Sequence, residues 1–172
     1  NASGGWGRRE WFGLLTMPDD SLVITGGYGP DGDDYLLYND SWRSTDKGAH
    51  WTRVSSDGGW LGRDNNKFIS MPDNTIVMTG GYIYDPVVDD DVNDTWISKD
   101  YGATWTMVNV SSGWNLRNNH AMATTRYGDI YVAGGYDDYG NYLNDTWRMN
   151  PSSKSAVNGW TQANTSSGWM PR

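Results

Sequence analysis

Residues 75–105 read TIVMTGGYIYDPVVDDDVNDTWISKDYGATW. The same grammar returns on either side, as SLVITGGYGPDGDDYLLYNDSWRSTDKGAHW (21–51) and DIYVAGGYDDYGNYLNDTWRMNPSSKSAVNGW (129–160). In each copy a short apolar run ends at a glycine pair, a polar stretch follows, and then come Asn-Asp-(Ser/Thr)-Trp and a later Trp. The pairs Gly26-Gly27, Gly80-Gly81 and Gly134-Gly135 are spaced by 54 and 54, and the motifs at 39–42, 93–96 and 144–147 by 54 and 51. Trp51, Trp105 and Trp160 follow at 54 and 55. Trp6, Trp60, Trp114 and Trp169 run at 54, 54 and 55, with Arg9, Arg63, Arg117 and Arg172 just beyond them. A fixed period of this length marks a repeat architecture, in which each copy is one supersecondary unit. The boundaries it sets are 1–10 as the tail of a preceding unit, then 11–64, 65–118 and 119–172.

Within one unit the pattern reads as four short strands. WFGLLTM (11–17) leads through Pro18-Asp19-Asp20 into SLVIT (21–25), and the second copy gives KFISM, Pro72-Asp73-Asn74 and TIVMT. Proline pre-set for the second turn position, followed by Asp and Asn, is turn chemistry. The third copy reads AMATTR, Tyr127-Gly128-Asp129 and IYVA. Apolar runs of this length between turn signals fit strands buried on both faces. The composition agrees: 11 Trp, 11 Tyr and 22 Gly stand beside 2 Phe, and Glu10 is the lone glutamate, so helix has little to build on. Ten of the 11 Trp belong to the phased sets, with Trp11 the exception.

A glycine pair ending an apolar strand, an Asn-Asp-x-Trp strand, a later Trp and an Arg opening the next unit together resemble the kelch pattern. Overlaid on it, STDKGAHW (44–51) and SKDYGATW (98–105) resemble the S-x-D-x-G-x-x-W Asp box of sialidase-type propellers. The resemblance implies an all-β fold of β-propeller blades, three tandem four-stranded antiparallel repeats of about 54 residues. It also implies a structural role for Ser44, Asp46, Gly48 and Trp51, and for Ser98, Asp100, Gly102 and Trp105: Asp and Gly shape the hairpin and Trp packs beneath it. The third copy departs, reading RMNPSSKSAVNGW over 148–160 without the Asp. Three units leave two open faces. The expectation is part of a larger six- to eight-bladed propeller, whose remaining blades come from a longer chain or from another copy of itself.

Six N-x-S/T sequons occur, at Asn1, Asn39, Asn93, Asn109, Asn144 and Asn164, where chance gives roughly two or three. They fall in two phased families. Asn39, Asn93 and Asn144 open the Asn-Asp-x-Trp motif, so the kelch pattern with a neighbouring Ser or Thr explains them without sugar. Asn1, Asn109 and Asn164 precede the Ser/Gly-Trp turn, where no such pattern accounts for them. The expectation is a glycoprotein, extracellular or at the cell surface by way of the secretory pathway.

The net charge of −8 and pI near 4.5 disfavour nucleic acid as a partner, and no apolar stretch is long enough to span a bilayer. With no Cys, disulfides and thiolate metal sites are excluded. Acidic loops recur between the second and third strands. Asp31, Asp33, Asp34, Asp89, Asp90 and Asp91 offer hard oxygen ligands that would suit calcium, though no EF-hand spacing or closing Glu accompanies them. Solvated loops explain them as well. His50 and His120 have no second His or thiol nearby in sequence, so no metal or triad constellation forms. The resemblance to sialidases implies an arginine cluster and a Tyr-Glu pair, and that to kelch-like copper oxidases a Cys-modified Tyr; neither set is present. The expectation is a protein that is not an enzyme, has no required cofactor and serves structure or assembly. The alternatives are a module presenting Trp, Tyr and Asp to a glycan or protein, or a section of a larger propeller enzyme.

Overall fold

The computed structural model describes residues 4–85, 89–150, 159–166 and 168. They form three four-stranded antiparallel sheets. The first joins β1 (Gly13–Thr16), β2 (Leu22–Thr25), β5 (Ser41–Ser44) and β6 (Thr52–Ser55) in that order. Between β2 and β5 a two-stranded ribbon projects, made of β3 (Tyr28–Asp31) and β4 (Asp34–Leu37). The second sheet repeats this with β7 (Lys67–Ser70), β8 (Ile76–Thr79), β11 (Thr95–Ser98) and β12 (Thr106–Asn109), and its ribbon is β9 (Tyr82–Tyr84) with β10 (Asp89–Asp91). The third consists of β13 (Ala121–Thr124), β14 (Ile130–Tyr136), β15 (Tyr142–Met149) and β16 (Trp160–Asn164).

In the third unit sheet and ribbon are one. β14 pairs β15 from Ile130↔Met149 out to Tyr136↔Tyr142, with a register shift between Ala133 and Gly135. The 51-residue spacing explains this, because a connection three residues shorter closes as a tight hairpin over 137–141. The same irregularity recurs where each third strand meets its fourth, at Ser41/Trp42, Thr95/Trp96 and Thr146/Trp147. A bulge there re-aims the Trp out of the regular alternation.

The core lies between the sheets. Leu15, Met17, Val23 and Ile76, joined by Phe68, Tyr101 and Trp105, fill the joint between the first and second sheets. Met71, Val77, Trp114, Ile130, Val132, Met149 and Trp160 fill the joint between the second and third. β7 lies against both β1 and β13, so the first strand of each sheet faces a common interior. Each joint also carries a T-shaped tryptophan pair, Trp60 on Trp105 at 6.1 Å and Trp114 on Trp160 at 6.0 Å. That geometry suits the ring quadrupoles.

Antiparallel meanders send their connections alternately to two ends. The second-to-third connections, with their ribbons, emerge at one end together with the links from one sheet to the next. This is the ribbon end. The first-to-second turns and the third-to-fourth loops emerge at the other, the turn end.

Candidate functional site

The phased polar residues are consumed by the joints. The Arg63 guanidinium donates to Asp94 at 2.5 and 3.0 Å, to the Gly80 carbonyl at 3.3 Å and, through Nε, to the Leu61 carbonyl at 3.1 Å. Arg117 does the same with Asp145, Gly134 and Asn115, and Arg9 with Asp40, Gly26 and Gly7. Their side chains are almost wholly buried. The indole of each following Trp, at 42, 96 and 147, donates to the second oxygen of the same Asp at 2.7 Å. Burial alone would raise the Asp145 carboxyl, but the bonds from Arg117 and Trp147 hold it below its ordinary pKa. Each arginine therefore ties one unit's tail to the next unit's sheet.

The first sequon family is used by the same machinery. The Asn39 amide nitrogen donates to the Trp60 carbonyl at 2.8 Å and to Asp57 at 2.9 Å, and that of Asn93 to the Trp114 carbonyl at 2.5 Å. The hydroxyl two residues on accepts from the neighbouring unit's indole, Trp105 to Ser41 at 3.5 Å and Trp160 to Thr95 at 3.2 Å. Asn144 donates to Ser166. In the second family, the Asn109 and Asn164 oxygens each accept from the backbone two residues on, at 3.0 Å. That turn explains why Asn recurs at this phase. Asn109 is buried, Asn164 is exposed, and Asn1 lies outside the described residues.

The S-x-D-x-G-x-x-W loops share one geometry at the turn end. Ser44 Oγ accepts from Gly48 N at 2.9 Å, and Asp46 Oδ1 accepts from His50 N at 2.9 Å. Ser98, Gly102, Asp100 and Thr104 repeat both bonds at 2.8 Å. Lys47 and Tyr101 hold φ of 60° and Gly48 and Gly102 of 85° and 88°, the left-handed region glycine favours. Backbone and side-chain bonds from His50 pull the Asp46 pKa down to about 2. Trp51 donates back to the Gly48 carbonyl, whereas Trp105 reaches the sheet before its own.

The ribbon end is different. Among the described residues it holds 15 of the 21 acidic groups and five basic ones; the turn end holds six of each. Three of the five are the buried arginines already paired with aspartates; the other two are Arg8 and Lys67, beside exposed carboxylates that include Glu10, Asp33, Asp34, Asp89, Asp90 and Asp138. Asp33 and Asp34 are exposed at the first ribbon's tip; Asp31 lies in β3, with its side chain outside the described set. Asp89 accepts from the Tyr82 hydroxyl at 2.5 Å, which pushes that phenol's pKa up to about 12. Asp91 accepts from the Asn118 amide at 2.7 Å, and its backbone N–H donates to Asp138 at 3.1 Å. Burial, with Asp138 and Asp90 beside it, raises Asp91 to about 7. Among the described residues no three such groups converge as a metal site would require.

Aromatic rings accompany this charge. Trp11 stacks on Tyr28 at 5.9 Å and Tyr28 on Tyr35 at 5.1 Å, nearly parallel at 9°. Tyr84 and Tyr139 are exposed to 73% and 88%, and Tyr142 packs edge-on against Tyr136. Only Tyr127 among the strongly exposed tyrosines sits at the turn end. The stack joins residues that the repeat does not phase, and Trp11 is the one Trp outside the phased sets.

Two buried polar residues lie at the mouth of the interior, in phase with Phe12. His120 bonds Thr79 across its joint at 3.0 Å, and burial, with Arg117 and Lys67, depresses its pKa to about 3. It is a neutral imidazole at physiological pH. Asn66 is buried with neither amide atom partnered. It lines a groove of about 280 Å³ with Trp11, Phe12, Lys67, Phe68 and Asn119.

A family model described as the Kelch motif matches residues 117–155. The fold is similar to the solved structure of YjhT, with a TM-score of 0.74 and 12% identity, over 96% of this chain and 54% of that one. The chain thus spans about half the length of that protein. No curated protein matches the sequence. The fold is of the β-propeller type and carries a kelch repeat. Since 132 solved chains match it, the fold by itself selects no activity.

Proposed function

We propose that this protein is a non-enzymatic binding module, a set of three propeller blades that presents its ribbon end to a ligand. One observation carries the reading: the repeat's Arg, Asp, Asn and Trp are spent inside the joints, while most of the exposed aromatic rings and of the acidic groups gather at a single end. Kelch-type folds serve as binding or structural modules, and solvent-facing tyrosines are efficient contact groups because they bring large area at low rotamer entropy. His120 is neutral and enclosed, which supports a role in packing over proton transfer.

The test is selection on a random peptide library and a glycan array, followed by variants. Y35A/Y84A/Y139A should abolish capture of whatever is selected, and Y127A at the opposite end should leave it intact. Ligands that bind both variants equally would refute the assignment.

The reading extends to a secreted glycoprotein within a propeller of six to eight blades. The 54% coverage of YjhT supports the larger ring, and the exposed Asn164 is the described sequon best suited to carry sugar. Intact mass before and after N-glycosidase checks the location. A shift removed by N164Q supports it; no shift in protein from secretory expression withdraws it.

A further inference from the structure

We propose that the ligand of the ribbon end is a lysine- and arginine-rich segment of a partner protein. The inference rests on that end being the binding face and adds the chemistry of what it binds. Its first support is the exposed aromatic platform. Trp11, Tyr28 and Tyr35 form one continuous stack, and Tyr84, Tyr139 and Tyr142 stand exposed on the adjoining ribbons. The face is continuous. The link between the first two sheets passes beneath the Leu37 carbonyl at Gly62 and bridges Tyr82 at Asp64, so the two ribbons flank one connection. Asp91 and Asn118 join the second ribbon to the 137–141 hairpin.

An aromatic platform alone would suit a sugar ring as well as a cation. Charge decides between them. A neutral sugar can donate its hydroxyls to these carboxylates but gains nothing from their net charge, whereas guanidinium and ammonium groups gain the ring faces, the carboxylate bonds and the charge attraction. The exposed Asp90 and Asp138 crowd one another beside the buried Asp91, and a cation placed at that pair relieves the repulsion. Nucleic acid, the other flexible polyion, carries the wrong sign. Because among the described residues the turn end balances six acidic groups with six basic ones, a basic segment has one preferred docking end.

The experiment is a titration of the whole chain with a synthetic peptide of alternating lysine or arginine and serine. A glutamate-for-basic peptide and a neutral β-linked oligosaccharide serve as comparison ligands. The basic peptide should bind saturably, and its affinity should fall as salt rises. D89N/D90N/D138N should weaken it about tenfold or more, and Y35A/Y84A/Y139A should weaken it by a similar factor. D19N/D73N at the turn end should leave it unchanged. Circular dichroism and melting of each variant separate lost binding from lost folding, and all the substituted tyrosines are solvent-facing. No binding of the basic peptide, or equal weakening by the turn-end pair, overturns the inference. Saturable binding of the oligosaccharide alone, lost in the tyrosine variant, would also overturn it while leaving the ribbon end as the binding face.

Discussion

Arg63 shows how much one residue carries in this architecture. Its guanidinium bonds Asp94 bidentately and two backbone carbonyls, with almost no solvent access. Removing it strands a mostly buried carboxylate and several acceptors, which costs about 3–5 kcal/mol. R63A should therefore show that loss in urea denaturation, and R63K should recover little of it, because an ammonium lacks the planar fork. R43A, whose pair with Asp19 is partly solvated, should cost less than about 1 kcal/mol. The joints also solve one packing problem in two ways. Over Gly26 the space is filled by Phe68, with Cζ 3.3 Å from where a methyl would sit; over Gly80 it is filled by His120, with Cε1 at 2.6 Å. Position 54 residues earlier than His120 is Asn66, and 54 later than Phe68 is Met122. N66H should overpack against Phe68 and F68M should leave a cavity, each costing about 1–3 kcal/mol. N66H/F68M should cost less than their sum, by about 1 kcal/mol or more in a double-mutant cycle, since the new imidazole occupies the vacated ring space. Strict additivity would show that the two positions do not share that space.

At the scale of the element, the third-to-fourth strand loops couple a turn to a joint. Gly102 holds φ of 88°, and a methyl there would lie 2.9 Å from Ser41 Cβ in the preceding sheet. Gly113 has φ of 80° with open space around it. G102A should thus cost the backbone strain of about 1 kcal/mol plus an overpacking term of about 1–3 kcal/mol, and G113A the strain alone. Equal melting temperatures for the two would refute the contact. D100A, which frees the Thr104 N–H and hydroxyl, should cost about 1 kcal/mol. The strands themselves were legible, because apolar runs of four or five residues between turn signals leave few alternatives. The ribbons were not. Residues 28–37 and 82–91 are polar, and their pairing depends on where the glycine pairs aim the chain.

Across the whole molecule, charge and burial set a pH response. The Asp91 carboxyl is pushed to about 7 chiefly by burial, from an ordinary value of 3.8. The folded state thus keeps a proton that the unfolded chain releases. This contribution to stability is complete below about pH 4 and is lost as pH rises through about 7. Melting temperature should fall between about pH 4 and pH 7, and D91N should flatten that fall, gaining on the order of 2 kcal/mol at the upper pH. The amide retains an oxygen for Asn118. A pH profile unchanged by D91N would show that the proton is held elsewhere.

The sequence by itself determined the repeat, its strands and its sheet order, since period, turn residues and apolar runs are local properties of the chain. It also determined that tryptophan belongs to the architecture, because ten of 11 keep phase. Only the tertiary structure decided which polar residues are free. Asn39, Asp40 and Ser41 read as a sequon, yet each is bound to a group 21 or more residues away: Trp60, Arg9 and Trp105. Trp11, Tyr35 and Tyr139 read as three scattered aromatics, yet the alternation of strand direction carries all three to one end with most of the acidic groups. Spacing along the chain encodes which segments pair. Which side chains those pairings enclose, and which they leave to solvent, is fixed by how the sheets stack face to face.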